Sequence, residues 1–485
     1  MYRVWHSGKR KLSQSRNRKK ETGAAVGTAK PRIWNFICME RRTGNVVYQR
    51  SLNQKYETDV FIAGGGAAGV AAAVAAARGG VRVFLAESMG AFGGLGTTGM
   101  VPAFAPFGDG EHILASGIGL EIRKNVSKNI PLSHYWTPIN TEELKREYDR
   151  IVTEAGVQFS FFTTVYDVIV QEGRIDSVVL GSKSGLFTVK AKVYIDCTGD
   201  GDLIAFAGGQ FEMGDASGSV MPQTLCSVWA NIDRERVLPG APNRMIEQAY
   251  ADGVLSQEDR HLPGFFFHDT GIGGGNIGHT FGIDPTDERS LTAAMIRGRA
   301  QMLEYERYYK EYLRDGFENM TLVSTAPVLG VRESRRIVCD YMLSVDDFIC
   351  RAVFDDEIGR YCYPIDIHVK NTDKDEYERF TKEYEKTFKY RLGESYGIPY
   401  RSLIPVSFEN VLTAGRCMGT DQKMQASIRV MPGCFITGQA AGAAAALASM
   451  LPDGETGNVR SVAYRELADA LTALGAYLPN RKADV

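Results

Sequence analysis

The chain has 485 residues, 44% of them hydrophobic, with 56 Lys and Arg against 58 Asp and Glu, which suits a globular protein of two or three units and excludes a disordered or strongly polyionic one. Its eight cysteines (38, 197, 226, 339, 350, 362, 417 and 434) form no CxxC or CxH pair, so neither a metal site nor a disulfide framework is expected, and a reducing compartment, the cytoplasm, is. No apolar run reaches the roughly 18 residues of a membrane span, the alanine-rich Ala440 to Met450 included, so no membrane partner is expected.

The near-neutral total hides an asymmetry. Residues 1 to 50 carry 13 Lys and Arg against Glu21 and Glu40, a net of +11. Residues 1–55 therefore read as a basic, disordered extension, and Met39 is itself a possible start. The apolar patch Ile33 to Met39 is too short for a signal peptide. A transit peptide or an RNA-binding arm is the sharper alternative; because the positive charge is confined to this extension, a nucleic-acid partner is not expected.

From Asp59 to Glu87 the pattern is a βαβ unit. An apolar run, Val60 to Ala63, enters Gly64-x-Gly66-x-x-Gly69, an alanine-rich helix follows and stops at Gly80, and Val81 to Leu85 returns as a strand ending at Glu87. Gly64 permits the tight turn, Gly66 lets a pyrophosphate reach the backbone, and Gly69 lets helix and strand lie close. Phosphates then sit over Gly66, Ala67 and Ala68 at the helix N-terminus, where unpaired N–H groups favour an anion. Glu87, 23 positions after Gly64, is placed for both ribose hydroxyls. Small residues at 73 and 77, Gly80, the alternating second strand and the terminal acid agree on a dinucleotide, taken here as FAD.

The next loop holds Gly93 and Gly94, which let the chain double back over the cofactor, and Thr97 and Thr98, expected to donate to phosphate. Asn140 to Gly156 reads as a capped helix with a Leu144, Tyr148, Ile151, Val152, Ala155 stripe. From Val157 the period becomes two, with turns at Glu172-Gly173 and Ser184-Gly185, which predicts a meander of three or four strands. Its last strand ends at Asp196-Cys197-Thr198-Gly199-Asp200, so Thr198, Gly199 and Asp200 form a second contact to the dinucleotide.

This order, with the late strand VLTAGRCMGT, resembles the FAD-dependent oxidoreductases of the glutathione-reductase structural class. The segments GVRESRRIVCDYMLSVDD, YPIDIH, YGIPYRSLIP and SIRVMPGCFITGQAAGAAAALA resemble a bacterial group of FAD-dependent oxidoreductases, over residues 56 to about 478. The resemblance implies an α/β fold: a Rossmann-like FAD-binding domain with a β-meander (56–215 and 401–452), an inserted α+β substrate domain (216–400) and a C-terminal helix (453–485). It also implies that Gly415 and Arg416 touch the FAD ribityl or pyrophosphate. Related chains often carry a cysteine just before the double glycine; Ala91 and Phe92 stand here, so non-covalent FAD is expected.

Within 216–400, Leu291 to Gly316 reads as a helix, and Gly273 to Gly275, with no βαβ pattern behind it, as a loop. No second dinucleotide domain is expected. Met431-Pro432-Gly433-Cys434 opens a small-residue helix through Ala448 whose N-terminus, at Gly433, is expected to face the flavin. Asp373 to Glu394 reads as a solvated helix, and Val459 to Leu474 as a structural one.

For the chemistry, His368 in YPIDIH is the first candidate base, with His279 and His268 behind it. Arg332 and Arg336, on one face if the segment is a strand, are candidates for clamping a substrate carboxylate or a reduced flavin; pairing with Glu333, Asp340 or Asp346 is the competing role. Arg401 is a similar case. The expected reaction moves hydride between a small polar metabolite, a sugar or polyol or a hydroxy acid, and flavin N5, with an external electron acceptor or donor. A flavin reductase with an external donor and an RNA-binding flavoprotein are the alternatives. An aromatic hydroxylase is disfavoured because AGRCMG stands where such enzymes carry a GDAAH-like run.

Overall fold

The computed structural model describes residues 51–238, 243–259, 262 and 264–481; the basic segment 1–50 lies outside them. The βαβ unit forms as strand β1 (Gln54–Ala63), helix α1 (Ala67–Arg78) and strand β2 (Val83–Ala86). Helix α2 (Thr141–Glu154) is capped by Asn140, whose side chain accepts from the Glu142 and Glu143 amides. Then come β3 (Gln158–Ser160), β4 (Thr164–Gln171), β5 (Arg174–Ser182) and β6 (Gly185–Asp196).

These six strands run in the order β3-β2-β1-β6-β5-β4 and, with one late strand off that path, make a seven-stranded sheet. Here the structure corrects the expected meander. Strand β3 is not part of it but pairs parallel with β2 at the far edge. Strand β6 belongs to both halves: it pairs antiparallel with β5 and parallel with β1. Its tip, Tyr194 to Asp196, also takes a late parallel partner, β11 (Val411–Thr413). Twelve residues suffice for this double role because a strand has two edges, and the partner on one edge changes from β5 to β11 along its length.

The sheet alternates strictly. Val60 and Ile62 face one buried cluster with α1 and the C-terminal helices, whereas Phe61 and Ala63 face the other with Phe84, Tyr194 and Leu203, as a period of two requires. Both faces are therefore covered, the usual state of a parallel sheet.

The intervening chain builds a four-stranded antiparallel sheet from β7 (Ser227–Ala230), β8 (Phe265–Asp269), β9 (Ile272–Gly275) and β10 (Thr321–Thr325), ordered β8-β9-β7-β10. Strand β9 overturns the loop reading of Gly273 to Gly275. The glycines are strand residues because rings and a proline occupy the space beside them: a Cβ on Gly273 would meet the Phe267 and Phe265 rings at 3.1 and 3.2 Å, and one on Gly274 would sit 2.4 Å from Pro102 Cβ. Helix α3 (Glu288–Tyr308) continues into one π-helical turn, Tyr309–Leu313, and buries Met302, Tyr305, Tyr308 and Tyr309 with Trp229. Helix α4 (Lys374–Thr387) has no fully buried residue, but Phe380 and Tyr384 pack against the core, so only its other face is solvated.

The chain closes with α5 (Gln422–Ile428), α6 (Met431–Ser449) and α7 (Tyr464–Ala473). Helix α6 is nearly all buried because it lies backbone to backbone against α1. A Cβ on Gly438 or Gly442 would come within 2.1 Å of the Ala68 or Ala72 carbonyl oxygen. Among the described residues no single helix is long and apolar enough to cross a membrane; α5 and α6 are set at 93° to each other.

Candidate functional site

The turn from β1 into α1 explains the first glycines. Gly64 has a φ of +89°, and a Cβ there would sit 2.5 Å from the Cys197 carbonyl oxygen on the tip of β6. Gly69 could carry no side chain either, since its Cβ would fall 1.8 Å from Gly64 O. Gly66 is different. It caps α1 with no side-chain hydrogen bond, and a Cβ on it would meet nothing within 4 Å, because it fronts a cavity of about 400 Å³.

That cavity gathers most of the residues expected to hold FAD: Gly64, Gly66, Ala67, Ala68, Glu87, Gly93, Gly94, Thr98, Thr198, Gly199, Asp200, Gly415 and Arg416 line it. Gly69, Thr97 and Gly433 are not among the residues that line it. The buried Glu87 carboxylate accepts from the Gly65 amide (2.7 Å), the Met89 amide (2.7 Å) and the Ser88 hydroxyl (3.1 Å), which fixes it at the tip of β2. Gly93 and Gly94, with φ of +105° and +51°, fold the next loop back so that the Gly93 amide donates to Gly65 O at 2.8 Å.

Both threonine hydroxyls are turned into the loop: Thr97 donates to Phe92 O (2.5 Å) and Thr98 to Gly94 O (2.9 Å). In this geometry they brace the loop that was expected to use them on phosphate.

At the tip of β6, Asp196 is fully buried and organises the turn through Thr198, Gly199 and Asp200. One carboxylate oxygen accepts from the Thr198 amide (3.1 Å) and hydroxyl (2.8 Å), the other from the Ile204 amide (3.0 Å). Burial pushes its carboxyl up to about 6 even though those hydrogen bonds pull the other way. Arg416 spans the cavity wall, donating to Gly199 O (2.9 Å), to the Asp200 carboxylate (2.8 Å) and to Val331 O.

Sequence reasoning passed over Pro285, Leu291, Val328, Leu329 and Val331, which line the cavity, and Arg429, which lines it with Met431 and Cys434 of the expected α6 start. Val430 caps α6 without a side-chain hydrogen bond, so a second uncapped helix N-terminus opens beside the cavity. Burial pushes the Cys434 thiol up to about 12, which keeps it a neutral thiol. Arg429 stands in the quoted SIRVMPGC run; its place just before a proline-started helix was the available signal.

These features fit FAD. The Gly66 cradle has room a side chain would fill, and the α1 N-terminus offers backbone donors to an anion. The buried Nε of Arg429 has no hydrogen-bond partner among the described residues. Gly64, Gly66, Ala67, Ala68, Gly93 and Gly94 would hold the pyrophosphate side, Glu87 the ribose and Arg416 the ribityl or pyrophosphate, with Arg429 and the start of α6 toward the ring.

His368 is not in this cavity. It lines a neighbouring one of about 290 Å³ with Glu258, Asp259, His279, Asp366, Asp373, Tyr377, Tyr384 and Glu385. Arg429, which lines the first cavity, donates to the backbone oxygen of Asp366, which lines the second, at 3.0 Å. His368 Nδ1 lies 2.7 Å from His279 Nε2, His279 Nδ1 lies 2.8 Å from Asp259 Oδ2, and His368 Nε2 lies 3.5 Å from Asp366 Oδ2. Burial lowers the His279 imidazole below its usual range, against the Asp259 carboxylate.

Arg332 and Arg336 are not brought to one face, since the strand here is only Arg335–Ile337. Arg332 is buried and donates to Pro222 O (3.0 Å), Thr224 Oγ1 (2.7 Å) and Asn276 Oδ1 (3.2 Å); burial, with Arg429 nearby, pulls it down to about 10. Arg336 pairs with buried Glu333 at 2.7 Å, the competing role foreseen for it. Neither lines either cavity. Arg401 pairs with Asp356 at 3.0 Å, half exposed, and the partly buried His268 lies in β8.

Among solved structures the chain is similar to a geranylgeranyl bacteriochlorophyll reductase-like protein from Thermoplasma acidophilum (12% identity, 86% of this chain and 83% of that one, TM-score 0.42). It is likewise similar to the flavin-dependent brominase Bmp2 (12% identity, 86% and 83%, TM-score 0.44). A third is p-nitrophenol 4-monooxygenase from Pseudomonas putida (13% identity, 59% and 70%, TM-score 0.37). No residue role transfers at such scores. No curated protein matches the chain. A family model described as FAD dependent oxidoreductase, however, matches residues 59–471, a span that contains every residue lining the two cavities. The chain belongs to the FAD-dependent oxidoreductase family, and its cofactor is FAD.

Proposed function

We propose that this enzyme oxidises a small polar metabolite, a sugar or polyol in preference to a hydroxy acid, by hydride transfer to N5 of non-covalently bound FAD. An external acceptor takes the electrons onward. Bound FAD supplies the two-electron chemistry; the protein supplies orientation and proton handling. One observation carries the reading: Arg429, in the wall of the FAD cavity, is hydrogen-bonded at 3.0 Å to Asp366 of the chamber that holds His368.

Among the described residues that chamber is lined by the carboxylates of Glu258, Asp259, Asp366, Asp373 and Glu385 and by no Lys or Arg. Carboxylates accept hydrogen bonds from hydroxyl groups and repel an anion, which favours a polyol over a hydroxy acid. His368 takes the hydroxyl proton as hydride leaves the carbon. Arg332 and Arg336 act from outside the cavities, Arg332 as a buried positive charge near Arg429 and Arg336 as the partner of Glu333. The glutathione-reductase kinship, residues 216–400 as substrate domain, and a cytoplasmic setting belong to the same proposal. The seven described cysteines, all free, support that setting.

The test is the visible spectrum of the holoenzyme, followed anaerobically during addition of sugars, polyols, hydroxy acids and NAD(P)H. Bleaching by polyols or sugars is expected. Bleaching by NAD(P)H alone would make the enzyme a reductase and end this reading.

A further inference from the structure

The paired histidines carry one step more. His279 is fixed from three sides: its carbonyl accepts from Gln257 Nε2 (2.8 Å) and Gln301 Nε2 (3.0 Å), and its Nδ1 faces the buried Asp259 carboxylate at 2.8 Å. A carboxylate only accepts, so a neutral His279 places its single proton on Nδ1. Its Nε2 is then an acceptor, and the 2.7 Å contact to His368 Nδ1 is satisfied only if His368 donates from Nδ1. Proton counting leaves the lone pair of neutral His368 on Nε2; the Asp366 carboxylate lies 3.5 Å from that atom, against 2.8 Å for Asp259 at His279 Nδ1, so the shorter contact sets the tautomer. The direction of the whole chain is thus set at Asp259.

We propose that Asp259 and His279 are positioning residues that hold His368 in the Nδ1–H tautomer, so that its Nε2 is the proton acceptor for the substrate's reacting O–H group. The inference rests on the hydride-donor reading above. In the step, the C–H bond breaks with its electron pair passing to FAD, the O–H bond breaks with its proton passing to His368 Nε2, and the C=O bond forms. The imidazolium so produced keeps its Nδ1–H bond to His279, and the negative charge of Asp259 lies behind it. Around the pair stand Glu258, Asp366, Asp373 and Glu385, with Tyr377 and Tyr384 on the same chamber and Arg332 and Arg429 contributing positive charge nearby.

Nitrogen-15 shifts of histidine-labelled holoenzyme near pH 8 read the tautomer without any substrate, with His368→Gln assigning the signal. The expected wild-type result is a protonated Nδ1 and bare Nε2 on His368. In Asp259→Asn the amide can donate to His279 Nδ1, which reverses the chain and moves the His368 proton to Nε2. Flavin bleaching by the donor found in the panel should then slow by roughly 100-fold, with FAD content unchanged. An Nε2–H tautomer in the wild type, or one indifferent to Asp259→Asn, overturns the positioning role whatever the donor panel shows. The wild-type spectrum decides this even if the variant does not fold. The expected tautomer in an enzyme that no sugar or polyol bleaches overturns instead the proton-acceptor role and the donor reading together.

Discussion

Two glycines two positions apart do different work, and substitution should separate them. At Gly66 an alanine Cβ has no protein atom within 4 Å and the backbone is extended, so Gly66→Ala should leave the stability of the FAD-free protein within about 1 kcal/mol of wild type while weakening FAD binding by about 10-fold or more. At Gly64 the φ of +89° and the 2.5 Å approach to Cys197 O predict a loss of about 2 kcal/mol or more in the fold itself. Urea titration and FAD titration of the two variants would show whether strain and cofactor room are distinct. Asp196 gives a second residue-scale prediction. Its folded carboxyl, near 6, binds its proton more tightly than an unfolded one near 3.9. Its contribution to stability is therefore complete below about pH 4 and lost as pH rises through 6, on the order of 3 kcal/mol. Stability of wild type relative to Asp196→Asn should fall by that order between pH 4 and 7; parallel profiles would refute the buried-carboxylate account. The glycines were legible in the sequence because their spacing states a backbone need. The role of Asp196 was not, since a strand-tip aspartate shows no sign of how deeply it lies.

Helices α1 and α6 are held by absence of side chain. The carbonyls of Ala68 and Ala72 lie 2.1 Å from where a Cβ of Gly438 and Gly442 would be, and neither a helix carbonyl nor the facing backbone can yield without moving the helix. Gly438→Ala and Gly442→Ala should each cost about 1–3 kcal/mol as overpacking and should loosen FAD binding as well, because the N-termini of both helices open on the cavity. Thermal melts with and without FAD would reveal both effects; an unchanged melting temperature would mean the helices can slide apart freely. At this scale the sequence spoke clearly where the pattern was local: the βαβ unit, the Asn140-capped helix and the proline-started small-residue helix all announce themselves within their own residues. It misled where a neighbour decides the state. Gly273 to Gly275 reads as loop by composition, and only the Phe265 and Phe267 rings beside it explain a strand. The first strand after Val157 reads as meander, yet the parallel edge of β2 takes it.

At the scale of the whole molecule, the FAD cradle could be anticipated because two of its walls are sequence motifs, whereas the second chamber could not. Its walls come from Glu258 to Phe281 and from Asp366 to Glu385, two stretches with no shared pattern, and the His279 to His368 contact joins positions 89 residues apart. The residues lining the FAD cavity all fall between Gly64 and Cys434 and those of the chamber between Glu258 and Glu385. Removing the basic segment 1–50 separates the oxidoreductase reading from the RNA-binding one. A chain starting at Leu52 should bind FAD in the same ratio, with the same visible bands, and should be bleached by the same donor at a rate within about twofold of the full chain. If the flavoprotein instead works on RNA through its +11 segment, truncation should abolish a salt-sensitive RNA retention and the turnover that depends on it. Equal flavin reduction by both chains, with no RNA retained by either at physiological salt, would assign the chemistry wholly to residues 52–485.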